Sequence, residues 1–228
     1  MKKTLRPFAG AIFDLDGTLL DSMSVWAEID EEFLGRRGIA VPPDYMEAIT
    51  PLGFRGTADY TIARFGLTDT PEELMAEWSA MALEKYSFHV GMKPGAKALL
   101  DEFRAAGIPM GVASALSKHL AEPCLRRNGI DGYFSAIVMT DEVGIGKNQP
   151  GIWKIVAGQI GVPVQNCIAF DDAAASLIGA KAAGLQTVGV FDPHSGGKNG
   201  LQEASDLYVE TLEKLAGLSM IRIPQEKF

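Results

Sequence analysis

The architecture of this 228-residue chain follows from Gly10-Ala11-Ile12-Phe13-Asp14-Leu15-Asp16-Gly17-Thr18. The first four residues are apolar in succession rather than in alternation, which predicts a strand of a parallel sheet that is covered on both faces. Two aspartates two positions apart come next, and their side chains point roughly the same way if the chain is still extended. Gly17 then permits a tight departure from the sheet. The segment therefore predicts a buried strand that presents two carboxylates at its carboxyl end.

Apolar runs of the same kind recur along the chain, with helical patterns between them. The runs cover residues 108–113, 136–139, 167–170, 187–191 and, more weakly, 207–209, and the helical patterns cover 94–106, 117–128, 152–160 and 174–183. We expect Pro123 to kink the second of these helices or to delay its start. Strands that alternate with helices predict the α/β class, with a doubly wound, Rossmann-like parallel sheet.

Residues 23–90 interrupt this alternation, because they carry helical periodicity and no convincing strand. One helix has an apolar face over residues 25–34 and is expected to stop at Gly35 and Gly38. Another helix starts at the capping box Thr70-Pro71-Glu72-Glu73. Its expected apolar stripe consists of Leu74, Trp78, Met81 and Leu83, and two shorter helices are expected at 44–49 and 57–65.

The position of this insert, between the first two strands, predicts two domains. Residues 1–22 and 91–228 are expected to form the α/β core, and residues 23–90 a small helical cap domain. Two strand-free connections would allow the cap to act as a lid over whatever the first strand presents.

Composition and charge exclude several classes of function. The chain has 21 basic and 29 acidic residues, a net charge of −8, and an acidic body repels nucleic-acid backbones. Its two cysteines cannot form a disulfide framework, which favours a reducing compartment. No stretch approaches the roughly 20 apolar residues that span a bilayer, and Asp14 interrupts the apolar run 8–13 before a secretory signal could form. We expect a soluble, cytoplasmic protein, a monomer or weak homodimer, with no nucleic-acid or membrane partner.

A second acidic pair, Asp171-Asp172, follows the apolar run 167–170. Because ligands of open parallel sheets bind at the carboxyl ends of the strands, we expect this pair to lie near Asp14 and Asp16. Carboxylates that close would repel one another unless a cation sits among them. Oxygen ligands without histidine or cysteine suit a hard ion, so the sequence predicts a Mg²⁺ site.

Two more candidate site residues follow predicted strands. Ser114 closes the run 108–113, and Lys147 stands in the loop after the run 136–139, where it could neutralise a phosphate. Taken singly, Ser114 could be a helix N-cap, Lys147 a solvated loop residue, and each aspartate pair a turn or cap device. Their joint occurrence at strand ends favours a functional site. A nucleotide P-loop at Gly146-Lys147 is excluded, because Asn148 follows where serine or threonine is needed.

The order of these motifs resembles the haloacid dehalogenase superfamily of phosphotransferases. The resemblance rests on residues 14–18, Ser114, Lys147 and the acidic pair 171–172, and it covers nearly the whole chain. It includes the helical cap between the first two motifs, as in the subgroup that contains β-phosphoglucomutase and phosphoglycolate phosphatase.

The resemblance implies roles for the individual residues. Asp14 would attack phosphorus and form an aspartyl-phosphate, and Asp16 would act as general acid and base. Mg²⁺ would be held by Asp14, by the backbone carbonyl of Asp16, by Asp172, and by Asp171 directly or through water. The phosphoryl oxygens would be held by Ser114, the backbone N–H of Ala115 and Lys147.

We therefore predict a Mg²⁺-dependent phosphatase that acts on a small phosphorylated metabolite, with a sugar phosphate as one candidate. A sugar phosphomutase is an alternative, although Trp26 stands where the β-phosphoglucomutase pattern has a histidine in the first cap helix. A non-catalytic binding or regulatory protein is a second alternative, which the complete motifs disfavour. Substrate choice would reside in the cap, where Arg55 is a candidate contact for the leaving group.

Overall fold

The computed structural model describes residues 5–49, 52–195 and 197–222, so the ends of the predicted core, 1–4 and 223–228, lie outside the described residues. The strands are β1 (Gly10–Phe13), β2 (Met110–Ser114), β3 (Ala136–Met139), β4 (Cys167–Asp171), β5 (Gln186–Val190) and β6 (Leu207–Val209). The helices are α1 (Val25–Arg36), α2 (Tyr45–Ile49), α3 (Gly53–Phe65), α4 (Pro71–Phe88), α5 (Ala96–Ala105), α6 (Lys118–Arg127), α7 (Thr140–Val143), α8 (Pro150–Gln159), α9 (Ala174–Ala183) and α10 (Lys198–Ala204). Short 3-10 helices cover Val164–Asn166, Leu212–Leu215 and Leu218–Ile221.

The strands form one parallel sheet in the order β3-β2-β1-β4-β5-β6. This order confirms the predicted doubly wound sheet. From β1 the chain adds β2 and β3 on one side of the sheet, and then β4, β5 and β6 on the other side. This reversal makes the carboxyl end of β1 a topological switch point. Ligands of such sheets bind outside the strand ends at this point.

The two faces of the central strands are buried by different side chains. On one face the rings of Phe13 and Phe170 stack with their centroids 4.5 Å apart, and Phe103 of α5 packs on both. On the other face Ile12 belongs to an apolar cluster that includes the fully buried Trp153 of α8. Burial on both faces explains why the strands read as continuous apolar runs.

Some predicted element ends are wrong by a few residues. Strand β2 begins at Met110 rather than at residue 108, since Pro109 has no N–H to donate to a ladder. Helix α6 begins at Lys118, directly after the extended Ser117, and contains Pro123, so the start is not delayed. Leu120 and Cys124 bury one face of this helix, and this packing outweighs the loss of one helical hydrogen bond.

The chain divides into two compact units, Met1–Met23 with Val90–Phe228, and Ser24–His89. The described part of the smaller unit consists of α1 to α4 and contains no strand. That this unit works as a cap stays a prediction.

The capping box at the start of α4 is present as predicted. The Thr70 N–H donates to the Glu73 carboxylate over 2.7 Å, the Glu73 N–H donates to the Thr70 hydroxyl, and Pro71 opens the helix. Leu83 is wrong as a stripe residue, since it is 41% exposed. Leu83 stands nine residues after Leu74, and nine residues of an α-helix make two and a half turns. Leu83 therefore lies on the opposite face of the helix from Leu74. Helix α1 also continues through Gly35 to Arg36.

The described residues contain no helix that is both long enough and apolar enough to cross a bilayer. Cys124 and Cys167 are buried and form no disulfide.

Candidate active site

Strand register brings the acidic motifs together. Phe13 pairs with Phe170 of β4, and the Asp14 N–H donates to the Phe170 carbonyl over 2.9 Å. The next residue of each strand is then an aspartate, Asp14 on one and Asp171 on the other. Strand β2, which ends at Ser114, lies on the other side of β1. Side chains from three neighbouring strands therefore meet at the switch point.

Three of the four predicted metal ligands form one buried cluster. Asp14, Asp171 and Asp172 each offer a carboxylate oxygen, and these oxygens lie within 4.8 Å of one another. All three residues are buried. Water cannot screen them, so each charge in the cluster strongly affects the others.

Lys147 supplies a positive charge to this cluster from the loop between α7 and α8. Its Nζ lies 2.6 Å from Asp14 Oδ1 and 2.9 Å from Asp171 Oδ2. Burial by itself would lower the pKa of Lys147, but the two carboxylates outweigh this effect and raise the pKa above its ordinary value. The alternative of a solvated loop lysine is therefore wrong: the side chain is only 12% exposed and is a cation held by two carboxylates.

Asp172, the second aspartate of the pair, forms no ion pair with any ammonium group in the described part of the chain. Burial raises the pKa of Asp172, and repulsion from Asp14 and Asp171 raises it further. Its carboxylate accepts hydrogen bonds from the Ser195 hydroxyl and, over 3.4 Å, from Thr18 Oγ1. Burial likewise raises the pKa of Asp171, although Lys147 opposes that rise.

The donor set fits a divalent cation. Three carboxylates face one ammonium group, so the ionised cluster lacks about two positive charges. The available ligand atoms are oxygens, which hard ions such as Mg²⁺ prefer. The Asp16 carboxylate is not part of the cluster: its Oδ1 accepts a hydrogen bond from Ser22 Oγ over 2.5 Å. That Asp16 reaches an ion through its backbone carbonyl, as the resemblance implies, stays a prediction.

A cavity of about 310 Å³ opens in front of the cluster. Its lining includes Asp14, Asp16, Met23, Ser114, Ala115, Lys147, Asp172, Ala173 and Ser195. Asp171 does not line it: its Oδ1 accepts a hydrogen bond from the Ala173 N–H over 2.9 Å while its Oδ2 holds Lys147. Asp171 therefore positions the lysine and the acidic loop.

The alternative interpretation of Ser114 as a helix N-cap is wrong. The N-cap of α6 is Ser117. The buried Ser114 ends β2, and its Oγ accepts a hydrogen bond from the Leu116 N–H over 3.1 Å. Its hydroxyl hydrogen is thus available for a ligand in the cavity.

Sequence reasoning missed Ser195, which both lines the cavity and holds Asp172. The sequence did contain a signal for this residue. The apolar run 187–191 is one of the predicted parallel strands, so the loop after it must start at the same edge of the sheet as the other site residues. The buried Asp192 in that loop accepts a hydrogen bond from Lys93 over 2.7 Å, which fixes the loop next to the Gly17 carbonyl, another acceptor of Lys93.

Position 17 requires glycine for two reasons: its backbone conformation, and the close approach of the Asp172 side chain. Its φ is +75°, and a Cβ at this position would lie 2.2 Å from Asp172 Oδ2. The turn after Asp16 and the Asp172 carboxylate can thus approach closely only because residue 17 has no side chain.

Gly179 of α9 supports the lysine loop in the same manner. An added Cβ would lie 2.2 Å from the Lys147 carbonyl oxygen and 2.7 Å from the Asn148 carbonyl carbon. We expect Gly179→Ala to displace Lys147, to lower turnover about 10-fold or more, and to destabilise the fold by about 1–3 kcal/mol through overpacking.

Gly158→Ala is the matched control, because nothing lies within 4 Å of its added Cβ on α8. It should leave turnover unchanged and stability equal or slightly higher. Turnover of the phosphatase reaction that the sequence predicts, and chemical denaturation of both variants, measure these effects. Full activity in Gly179→Ala would show that the lysine loop tolerates displacement.

Arg55, the predicted substrate contact, lies on α3 of the smaller unit. Its side chain is 58% exposed and forms ion pairs with Glu72 at 2.6 Å and Asp59 at 3.8 Å. Its role in substrate binding stays a prediction.

Asp30 on α1 of the smaller unit is a buried acid that sequence reasoning did not single out. Burial raises its pKa from 3.8 to about 7. Between pH 3.8 and about 7, Asp30 stays protonated in the folded chain but is ionised in the unfolded chain. Ionisable Asp30 therefore lowers the free energy of unfolding as the pH rises from about 4 to 7.

Asp30→Asn removes this penalty. We expect the variant to match the wild type at pH 4 and to exceed it by on the order of 2 kcal/mol at pH 8, after solvent screening. Urea denaturation across this pH range measures the difference, with the exposed Glu31→Gln on the same helix as control. A stability difference that does not change with pH would contradict the account.

The chain is similar to known proteins in sequence and in fold. A family model for haloacid dehalogenase-like hydrolases matches residues 8–184. The chain is 29% identical over 194 residues to a fructose-1-phosphate phosphatase of Escherichia coli. This alignment covers 80% of this chain and 96% of the relative. It is 28% identical over 191 residues to a phosphoglycolate phosphatase of Yersinia pestis, with 79% and 80% covered. A crystal structure from Thermotoga maritima, of a protein proposed to be a β-phosphoglucomutase, superposes with a TM-score of 0.82 at 23% identity and covers 92% of this chain and 97% of the other.

Proposed function

The chain belongs to the haloacid dehalogenase-like hydrolases, and from this membership we propose that it is a Mg²⁺-dependent phosphatase of a small phosphorylated metabolite that works through an aspartyl-phosphate. The two relatives named above are a fructose-1-phosphate phosphatase and a phosphoglycolate phosphatase, and together with the family membership they make this chain a phosphoric monoester hydrolase. The observation that supports the finer proposal is the buried cluster of three carboxylates with Lys147 at the switch point.

Asp14 is the nucleophile. Its carboxylate lines the cavity and forms an ion pair with the Lys147 ammonium at 2.6 Å. The bond from Asp14 to phosphorus forms as the bond from phosphorus to the leaving oxygen breaks. Water then attacks the same phosphorus, which releases phosphate and restores the carboxylate.

Asp16 carries the proton through both steps. It lines the same cavity and is fixed by the hydrogen bond from Ser22. It gives a proton to the leaving oxygen in the first step and takes one from the attacking water in the second.

The phosphoryl oxygens are held by the Ser114 hydroxyl, the Ala115 N–H and Lys147, which line the cavity together. Phosphoryl transfer depends mainly on such positioning and on charge stabilisation. Mg²⁺, when bound by Asp14, Asp172 and the Asp16 carbonyl, supplies the positive charge that lets an anionic substrate approach three carboxylates. Asp171, whose two oxygens bind the Ala173 N–H and Lys147, would complete that set through water or after releasing one of these contacts.

A sugar phosphate is the proposed substrate class, with Arg55 as a contact to the leaving group. The support is the fructose-1-phosphate phosphatase relative and the exposed guanidinium on α3. The likeness to the Thermotoga protein, at 23% identity, shows the fold alone and does not favour a mutase.

The test is a panel of phosphate monoesters given to the purified full chain, and to Arg55→Ala beside it. We expect phosphate release from at least one sugar phosphate and a changed order of preference in the variant. No turnover on any ester would favour a non-catalytic role. Isomerised sugar phosphate in the presence of a bisphosphate primer would indicate a mutase.

Removal of the metal tests the cofactor. We expect EDTA to abolish phosphate release and added Mg²⁺ to restore it, because the carboxylate cluster without a cation repels the substrate phosphate. Undiminished turnover after exhaustive chelation would contradict the metal site.

A further inference from the structure

The smaller unit contains a cavity of its own, which the proposed catalysis does not use. It has a volume of about 430 Å³ and lies among α1, α2, α3 and α4. Three aromatic side chains line it: Trp26 and Phe54, with ring centroids 5.7 Å apart, and Trp78, 5.9 Å from Phe54. The cavity therefore presents a connected aromatic wall.

One acid lines the same cavity. Asp30 is only 7% exposed, and it forms no hydrogen bond or ion pair with any residue that the structure describes. None of the described residues that line the cavity is basic. A buried carboxylate without a partner is unfavourable, so its surroundings are incomplete as they stand.

Burial raises the pKa of Asp30 to about 7, and a positive charge placed beside the carboxylate would lower that pKa again.

We propose that this cavity binds an organic ammonium group, with its charge against the Asp30 carboxylate and its carbon atoms against the rings of Trp26, Phe54 and Trp78. Aromatic faces attract cations, and do so more strongly where water is excluded. A neutral hydroxyl group could stack on the same rings but would leave the Asp30 charge uncompensated, which is why the structure favours a cation.

Binding at this site can be tested separately from the proposed phosphatase activity. The lining of the site lies wholly within residues 26–78 and includes none of the carboxylates of the α/β core. Binding is therefore measured directly on the full chain, without phosphate or metal, and failure of one proposal leaves the other standing.

The experiment compares two ligands of the same shape and different charge. Isothermal titration calorimetry of the full chain uses 3-methylbutylammonium chloride and 3-methylbutan-1-ol, at constant total chloride. We expect the ammonium compound to bind at least 10-fold more tightly than the alcohol. Equal affinity for the two, or no detectable binding of the ammonium compound, would overturn the proposal.

Variants locate the site. Asp30→Asn should lose the preference for the ammonium compound, and Glu31→Gln, which removes an exposed charge from the same helix, should keep it. Trp26→Leu should weaken ammonium binding at least three-fold, because one aromatic face is removed while Asp30 is retained. Circular dichroism verifies that each variant is folded, and an unchanged preference in folded Asp30→Asn would refute the assignment.

Discussion

Asp14→Asn is expected to lower phosphate release by on the order of 10³-fold or more while the fold remains intact. The amide is a poor nucleophile, and no other group occupies its position at the end of β1. The variant should not be less stable than the wild type by more than about 1 kcal/mol, since Lys147 keeps its contact with Asp171 and one of three crowded carboxylates loses its charge.

Asp21→Asn is the matched control, because it removes an exposed charge seven residues further along the chain. It should retain wild-type turnover. Initial rates on the best ester of the panel, together with thermal unfolding of both variants, give the comparison. Turnover in Asp14→Asn within a few-fold of the wild type would rule out Asp14 as nucleophile.

Lys147→Met is expected to damage both activity and stability. Removing one partner from a buried ion pair typically destabilises a protein by about 3–5 kcal/mol, because the remaining charge stays buried. Here two carboxylates, Asp14 and Asp171, would lose their shared cation. Turnover should fall about 10²–10³-fold, as when a donor to a developing negative charge is removed.

Lys154→Met on α8 serves as the control, since Lys154 is exposed. Lys154→Met should change neither turnover nor stability. Added Mg²⁺ should restore part of the stability of Lys147→Met, because a divalent ion among the carboxylates replaces the missing positive charge. Urea denaturation with and without Mg²⁺ measures this. Stability unchanged in Lys147→Met would contradict the cation held by two carboxylates.

The sheet could be predicted from the sequence because its strands are buried on both faces. Each strand in the set from β1 to β6 coincides within two residues with an apolar run, and Asp14 and Asp171 stand directly after the runs of β1 and β4. The family membership indicated by residues 14–18 and the later motifs is confirmed by the family model.

Features that depend on tertiary packing could not be predicted. Pro123 is tolerated inside α6 because that helix buries one face, and no local pattern reports this. Ser195 reaches Asp172 from a loop that Lys93 fixes through a distant contact. Asp30 reads as an ordinary helix residue in the sequence, and only the packing of α1 with its neighbours makes it a buried acid.

The central claim is that Asp14 takes the phosphoryl group, and a trapping experiment with Asp16→Asn tests it most directly. With p-nitrophenyl phosphate the leaving group needs no proton, so the first step proceeds while hydrolysis of the adduct is slowed. The account predicts a burst of about one equivalent of p-nitrophenol per chain, and a phosphate adduct on Asp14 in the acid-quenched peptide map. Turnover of this ester while Asp14 stays unmodified, or an adduct on another residue, would contradict it.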